Sequence, residues 1–302
     1  MTALSRLRAL TATDADRLLA LIVACDIAVL GEPDYTAEDV ADDLSRPTWR
    51  GWAVDEPDGS LRAYCWVEKV PGRPYVGGEV RVRPDLPGDL GAELFTFVRT
   101  QAAEVDPQLP LHVMTAAAAV RDRGWLDAAG GKVIRHYYRM VIDLPDEPPA
   151  DPQPPPGVTV DRVDDVDEQL RVVHRVIDTS FLDHFGGFAT DYDIWLARQR
   201  RGSGADIGLW RLASVDGAPA AVLIGRAWPD TGWIQALGTL REFRKRGLGR
   251  LLLQEAFAEF HRRGYRRVSL GVDATNPTGA VALYESVGMR VLDEAVLYEF
   301  AP

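Results

Sequence analysis

The strongest constraint on this chain is that it carries a second copy of itself. Sliding its 302 residues by 158 positions sets Trp52 on Trp210, Asp58-Gly59 on Asp216-Gly217, Gly91 on Gly249, Gly130 on Gly288 and Val133 on Val291. Turn glycines and strand residues keep one spacing over about 80 residues without a gap, so two copies of one fold explain the match better than chance does. Length alone permits one domain or two; the repeat selects two. Between the copies, Pro145 to Gly157 holds seven prolines, a composition that favours extended polyproline and excludes helix. The expected division is a first domain over residues 1–144, a linker over 145–157 and a second domain over 158–302.

Composition narrows the function classes. With 46% hydrophobic and 26% charged residues the chain has material for a large core, which excludes fibrous and disordered classes. The balance of 34 Lys+Arg against 45 Asp+Glu, net −11, disfavours nucleic acid or an anionic membrane as partner and favours an amine. The longest apolar run, Leu18 to Cys25, is far short of the ~20 residues that span a bilayer. Cys25 and Cys65 have no metal-ligand spacing, so no metal site is expected. No leader pattern opens the chain, and the expectation is a cytoplasmic protein with reduced thiols, monomer or homodimer. One local exception stands out: Arg241 to Arg267 holds nine basic residues against Glu242, Glu255 and Glu259, which points to an anion in an otherwise acidic protein.

The second copy reads as strands over 208–213, 219–228 and 233–240, then a helix with apolar residues at Leu248, Leu251, Leu252, Ala256, Phe257 and Phe260. That helix stops at Arg262-Arg263-Gly264, with basic last turn and terminal glycine. Val268, Leu270 and Val272 alternate as a strand, Asn276-Pro277 opens a short helix through Tyr284, and Val291 to Phe300 closes the copy as a strand. The order is β-β-β-α-β-α-β, a mixed α/β fold.

The third of these strands runs into Arg244-Lys245-Arg246-Gly247-Leu248-Gly249 and straight into the helix. Glycines let backbone N–H groups approach a ligand, the helix N-terminus adds partial positive charge, and Arg244, Lys245, Arg246 and Arg250 add full charges, so a pyrophosphate suits the site. A triphosphate P-loop is excluded because G-x-x-x-x-G-K-[ST] is missing, and a dinucleotide fingerprint is disfavoured because its third glycine would fall at Leu252.

Arg-x-x-Gly-x-Gly at Arg244, Gly247 and Gly249, the helix and strand after it, Asn276, and Leu283-Tyr284-Glu285 with Gly288-Met289 together resemble the GNAT N-acetyltransferase superfamily. The two-copy plan and the Val-Asp-Ala-x-Asn stretch from Val272 to Asn276 resemble its tandem, mycothiol-synthase-like branch. The resemblance implies two tandem GNAT-like domains, each a twisted mixed β-sheet flanked by helices with a splayed central strand pair. It implies acetyl-CoA as cosubstrate and a small-molecule amine as acceptor. It places the pyrophosphate on Arg244, Lys245, Arg246, Gly247, Leu248, Gly249 and Arg250, the pantetheine arm along Leu237, Gly238 and Thr239, and part of that arm against Asn276. Only three of the 34 basic residues are lysine, a bias common in high-GC bacteria.

Acyl transfer to an amine has three jobs to fill. A backbone N–H near Leu237 stabilises the oxyanion. Tyr284 is the candidate proton donor to the leaving thiolate, or else a core tyrosine on the Ala280, Leu283, Val287 face. Relatives in the superfamily carry a glutamate base on the strand before the glycine motif, but Gly232 to Ala236 offers no carboxylate. Asp183 and His184 in Phe181 to Phe185 are the remaining candidates, with Asp273 a further polar one, and Tyr192, Trp195 and Trp210 either line the acceptor pocket or fill the core.

In the first copy the 158 spacing puts Leu86 for Arg244, Gly88 for Arg246, Asp89 for Gly247 and Leu126 for Tyr284. That copy is expected not to bind coenzyme A productively. The rival reading from another class is a non-catalytic acyl-CoA-binding or sensing protein.

Overall fold

The computed structural model describes residues 6–86, 90–149, 152–182, 187, 189–202, 204–276 and 278–302. Its elements run β1 (Leu7–Ala9), α1 (Ala15–Leu30), α2 (Ala37–Ser45), β2 (Trp49–Asp55), β3 (Leu61–Glu68), β4 (Val76–Val82), α3 (Leu90–Val105), β5 (Leu111–Ala116), α4 (Val120–Ala128) and β6 (Lys132–Asp143). They continue β7 (Val158–Arg162), α5 (Asp167–Phe181), α6 (Tyr192–Gln199), β8 (Arg211–Val215), β9 (Ala218–Ala227), β10 (Gly232–Thr239), α7 (Leu248–Arg262), β11 (Arg267–Asp273), α8 (Ala280–Glu285) and β12 (Arg290–Phe300).

The repeat is visible element by element. Helices α3 and α7 start at Leu90 and Leu248, and strands β6 and β12 at Lys132 and Arg290, each pair 158 apart. The spacing is not kept earlier: α1 and α5 start at Ala15 and Asp167, 152 apart, so the copies differ in length before their second strands.

Two compact units result, one of Met1–Tyr137 with Asp293–Pro302, the other of Tyr138–Leu292. The division therefore falls inside β6 and β12 and not in the 145–157 segment. The reason lies in pairing. Residues Ala295 to Phe300 of β12 run antiparallel to β5, and Val296, Tyr298 and Phe300 belong to the first unit's core. Met140 and Leu144 are buried in the second unit's core, and the Leu144 amide donates to the Arg266 carbonyl at 2.7 Å. Each unit thus takes its sixth strand from the end of the other copy, giving the orders β1-β2-β3-β4-β5-β12 and β6-β11-β10-β9-β8-β7.

Within the second unit β7 to β10 pair antiparallel in sequence order, and β10 turns parallel to β11. Helix α7 covers this sheet with Leu248, Leu252, Ala256 and Phe260, a one-faced spacing that removes most of their apolar area from water at roughly 25 cal/mol per Å². The strand expected from Gly208 instead begins at Arg211, because the Asp206 carboxylate accepts from the Gly208 amide at 2.8 Å and holds residues 207–209 in a 3-10 turn. Tyr192, Trp195 and Trp210 are core residues: each is buried, Trp195 meets Trp210 edge to face at 5.8 Å, and the Tyr192 hydroxyl donates to Asp167 at 2.8 Å. Among the described residues, no helix is long and apolar enough to cross a membrane and no group of three or more His, Cys, Asp or Glu is placed to hold a metal ion.

Candidate active site

The site of the second unit begins where its sheet opens. Strand β10 pairs with β11 only from Gly232 to Ile234, against Val268 to Leu270. A bulge at Gln235 follows, where the register with β9 shifts between Ile234 and Ala236. A bulge bends its strand and ends pairing on one side. Beyond it Ala236 to Thr239 stay paired with β9 alone, so a strand edge containing Leu237, Gly238 and Thr239 faces the gap. These are the residues expected to meet the pantetheine arm.

Helix α5 packs on the face of β9 and β10 at Gly238. A Cβ built on Gly238 would lie 2.1 Å from the Ser180 Oγ and 3.2 Å from Ile177, so only glycine permits the helix to seat there. Ser180 is buried and donates back to the Ile177 carbonyl at 3.0 Å. Nothing in the sequence pattern marked Ser180 or Gln235, since their importance arises from a contact and a bulge between distant segments.

At the end of β10 the chain turns through two residues in the left-handed region, Lys245 at φ 63° and Gly247 at φ 80°. A non-glycine residue there is uncommon and costs free energy, which makes Lys245 a position held by its surroundings. Gly247 caps α7, and the first helical bond runs from the Leu251 amide to the Gly247 carbonyl, which leaves the amides of Leu248, Gly249 and Arg250 without intrahelical acceptors. A Cβ on Gly247 would meet no atom within 4 Å, so the space beside the capping residue is open. Arg244 is braced, its Nε donating to the Thr239 carbonyl at 3.1 Å and a terminal nitrogen to the Ser180 carbonyl at 3.4 Å. Arg246 stands 5.5 Å from the Phe243 ring, and Lys245 is exposed. Arg250 reaches the other way, donating to the Ser286 Oγ at 2.9 Å.

Arg262, Arg263 and Arg267 of the basic stretch are tied to acidic side chains. Arg211, Arg262 and Arg263 gather on Glu259, Arg263 also on Asp206, and Arg267 bonds Asp143 at 2.9 Å. The positive charge near the glycines is that of Arg244, Lys245, Arg246 and Arg250, the last bonded to a neutral serine.

Tyr284 lies on α8, whose Leu283 would be 2.9 Å from a Cβ on Gly249, so α8 borders the first turn of α7. Tyr284 is 8% exposed, and burial alone pushes its phenol up to about 12, with no hydrogen bond or neighbouring charge contributing. Asn276 does not cap this helix. The cap is Gly279 at φ 75°, because the Asn276 Oδ1 accepts from the Thr278 amide at 2.8 Å and its hydroxyl at 2.6 Å, closing a turn of its own. Asp273 is likewise engaged locally, by the Thr275 amide and hydroxyl, both at 2.8 Å. Asp183 and His184 lie outside the described residues.

In the second unit a mixed sheet splays beside an open helix N-terminus, and the same order of elements occurs twice in the chain. The sequence profile of the acetyltransferase (GNAT) family matches residues 175–289. A mycothiol acetyltransferase from Cellulomonas flavigena is 30% identical over 249 residues, covering 74% of this chain and 68% of that protein. A GCN5-related N-acetyltransferase from Sphaerobacter thermophilus superposes with a TM-score of 0.80 at 29% identity, over 98% of this chain and 95% of its own. A tandem GNAT protein from the clavulanic acid biosynthesis pathway gives 0.76 at 18% identity, over 98% of both chains. The chain belongs to the GNAT acetyltransferase family.

Proposed function

We propose that the second unit transfers an acetyl group from acetyl-CoA to a small-molecule amine. The observation that carries this reading is the unpaired edge of β10 running into an unfilled helix N-terminus. At Gly247 a side chain would enter open space beside three amides that have no intrahelical acceptor. A diphosphate matches that cradle in charge and in hydrogen-bonding sense. Leu248, Gly249 and Arg250 would offer amides, Arg244, Lys245 and Arg246 their cations, and Leu237 to Thr239 a strand edge for the amide groups of the arm.

When bound, acetyl-CoA supplies a thioester: the amine nitrogen bonds to the acetyl carbon, the carbon–sulfur bond breaks, and the sulfur leaves with the bonding pair. Tyr284 carries its proton at neutral pH, as an ordinary phenol does, and burial pushes it up to about 12, so it can give that proton to the leaving sulfur. An amide near Leu237 is the proposed donor to the carbonyl oxygen. Asp183 and His184 are the proposed acceptors of the amine's proton. Arg250 would have to leave Ser286 to reach the phosphates, and Asn276 would meet the arm only through the turn it closes.

The test is coenzyme A release from acetyl-CoA against an amine panel headed by mycothiol-type acceptors, given the Cellulomonas relative. Turnover that disappears in Gly247→Asp supports the reading. Tight acetyl-CoA uptake with no turnover on any amine would instead identify an acyl-CoA sensor.

A further inference from the structure

The first unit splays in the same way, yet its gap is used differently. Strand β4 pairs with β5 only from Val76 to Gly78, against Leu111 to Val113. Past that point a cavity of about 240 Å³ lies between the strands, reached by Asp26 of α1, Glu79 and Arg81 of β4, Thr115 of β5 and Asp122 of α4.

Two side chains of α4 occupy the path a long cofactor would take. Trp125 covers the first turn of α3 so closely that a Cβ on Gly91 would fall 2.2 Å from its ring. Arg121 lies 5.3 Å from the Trp125 ring and donates to the carbonyls ending β4, Val82 at 2.7 Å and Arg83 at 3.3 Å. The counterparts at the 158 spacing in the second unit are the smaller Leu283 and Gly279. What remains in the first unit exceeds the ~150 Å³ that accommodates benzene, and suits a ligand of roughly ten heavy atoms.

Charge decides the ligand's class. The carboxylates of Asp26, Asp34, Glu79, Asp122, Asp293 and Glu294 line the cavity together with the guanidinium of Arg81, and Arg121 pairs with Asp122 from outside the lining. Arg81 is already committed to Asp26 and to Glu79, at 2.8 Å from the latter, while Glu79 also accepts from Tyr64 at 2.7 Å and Trp66 at 2.9 Å. His136 is engaged with Glu294. Asp122 is held at 3.3 Å by the Arg121 Nε through Oδ1, which leaves Oδ2 without a partner among the described residues. The walls between are apolar, from Val29, Phe95 and Leu126. We propose that this cavity binds a small organic monocation, an ammonium on an apolar body, with Asp122 as its anchoring carboxylate. Burial raises the Asp122 carboxyl above the usual range, with the Arg121 and Arg81 guanidiniums pulling the other way.

The proposal does not rest on the reading of the second unit. The test uses the full chain and three probes of one shape, followed by calorimetry and ligand-detected NMR: phenethylammonium, 2-phenylethanol and 3-phenylpropanoate. The expected result is one phenethylammonium per chain, with the alcohol at least ~10-fold weaker and the carboxylate undetected. Asp122→Asn should weaken the ammonium at least ~10-fold and leave the alcohol unchanged, whereas Gly247→Asp should leave all three unchanged. Equal binding of ammonium and alcohol, preference for the carboxylate, or no ammonium uptake at about 10 mM overturns the proposal. So does a second acetyl-CoA per chain that phenethylammonium displaces, since the cavity would then be the end of a cofactor groove. If Asp122→Asn fails to fold, the three-probe order on the unaltered chain still decides.

Discussion

Helices α3 and α7 start at equivalent positions of the two copies, and their first turns have opposite fates. At α7 the capping residue is a left-handed glycine facing open space, with cations before it. At α3 a tryptophan lies on the first-turn glycine and an arginine ties up the carbonyls that end the preceding strand. The comparison teaches that the splay of the sheet is a property of the fold, whereas what enters the gap is set by a handful of side chains on the following helix.

The largest effect that would break this contrast is at Gly247. Gly247→Asp gives the second unit the residue that the first carries at Asp89, placing a carboxylate at the cradle and a side chain at φ 80°. Acetyl-CoA affinity measured by calorimetry should fall by a factor of 100 or more, about 3 kcal/mol. Unchanged affinity would remove the cradle from the account. Next in size, Tyr284→Phe should lower kcat by about 100-fold while calorimetry shows little change in acetyl-CoA affinity, because only the proton donor is lost. An equal loss in affinity would make Tyr284 a packing residue.

Gly238→Ala tests how α5 seats on β10. Its Cβ would come 2.1 Å from Ser180 Oγ, so chemical denaturation should show a loss of about 1–3 kcal/mol. Pairing it with Ser180→Gly should recover part of that loss, and the absence of any loss would mean that α5 yields freely.

Smaller still is the pH effect. The Tyr284 pKa is raised, so the neutral phenol is the folded form's preference: the associated stability is complete below the ordinary tyrosine pKa near 10 and is lost as pH climbs through about 12. In brief assays kcat should therefore hold level through about pH 10, where ordinary tyrosines ionise, and decline only above it. A decline centred well below pH 10 would assign proton donation to another group. The smallest expected effect is none. Giving the first unit its counterparts, Arg121→Gly with Trp125→Leu, clears the path but supplies no cations, so calorimetry should still count one acetyl-CoA per chain. A count of two would show that obstruction alone separates the copies.

Much of this was legible in the chain itself. The spacing of Leu248, Leu252, Ala256 and Phe260 defined α7, and the glycines at 247 and 249 marked its approach. The helix expected at Asn276 starts later because a side-chain turn competed successfully for the Thr278 amide. Sliding the copies by 158 lost α1 and α5, whose separation is 152. The exchange of β6 and β12 was not legible at all, since both strands carry the same pattern and would satisfy either sheet edge. Ser180 stayed hidden for a related reason: a serine late in a helix becomes informative only once Gly238 is seen beneath it.

The exchange of last strands bears on how the protein is made. Synthesis proceeds from the amino end, so the first unit spends the whole time that residues 138–292 are being added with β5 lacking its partner β12. An uncovered row of amides and carbonyls beside β5 invites pairing with a neighbouring nascent chain. Of the two units, the one begun earlier is thus the one completed later.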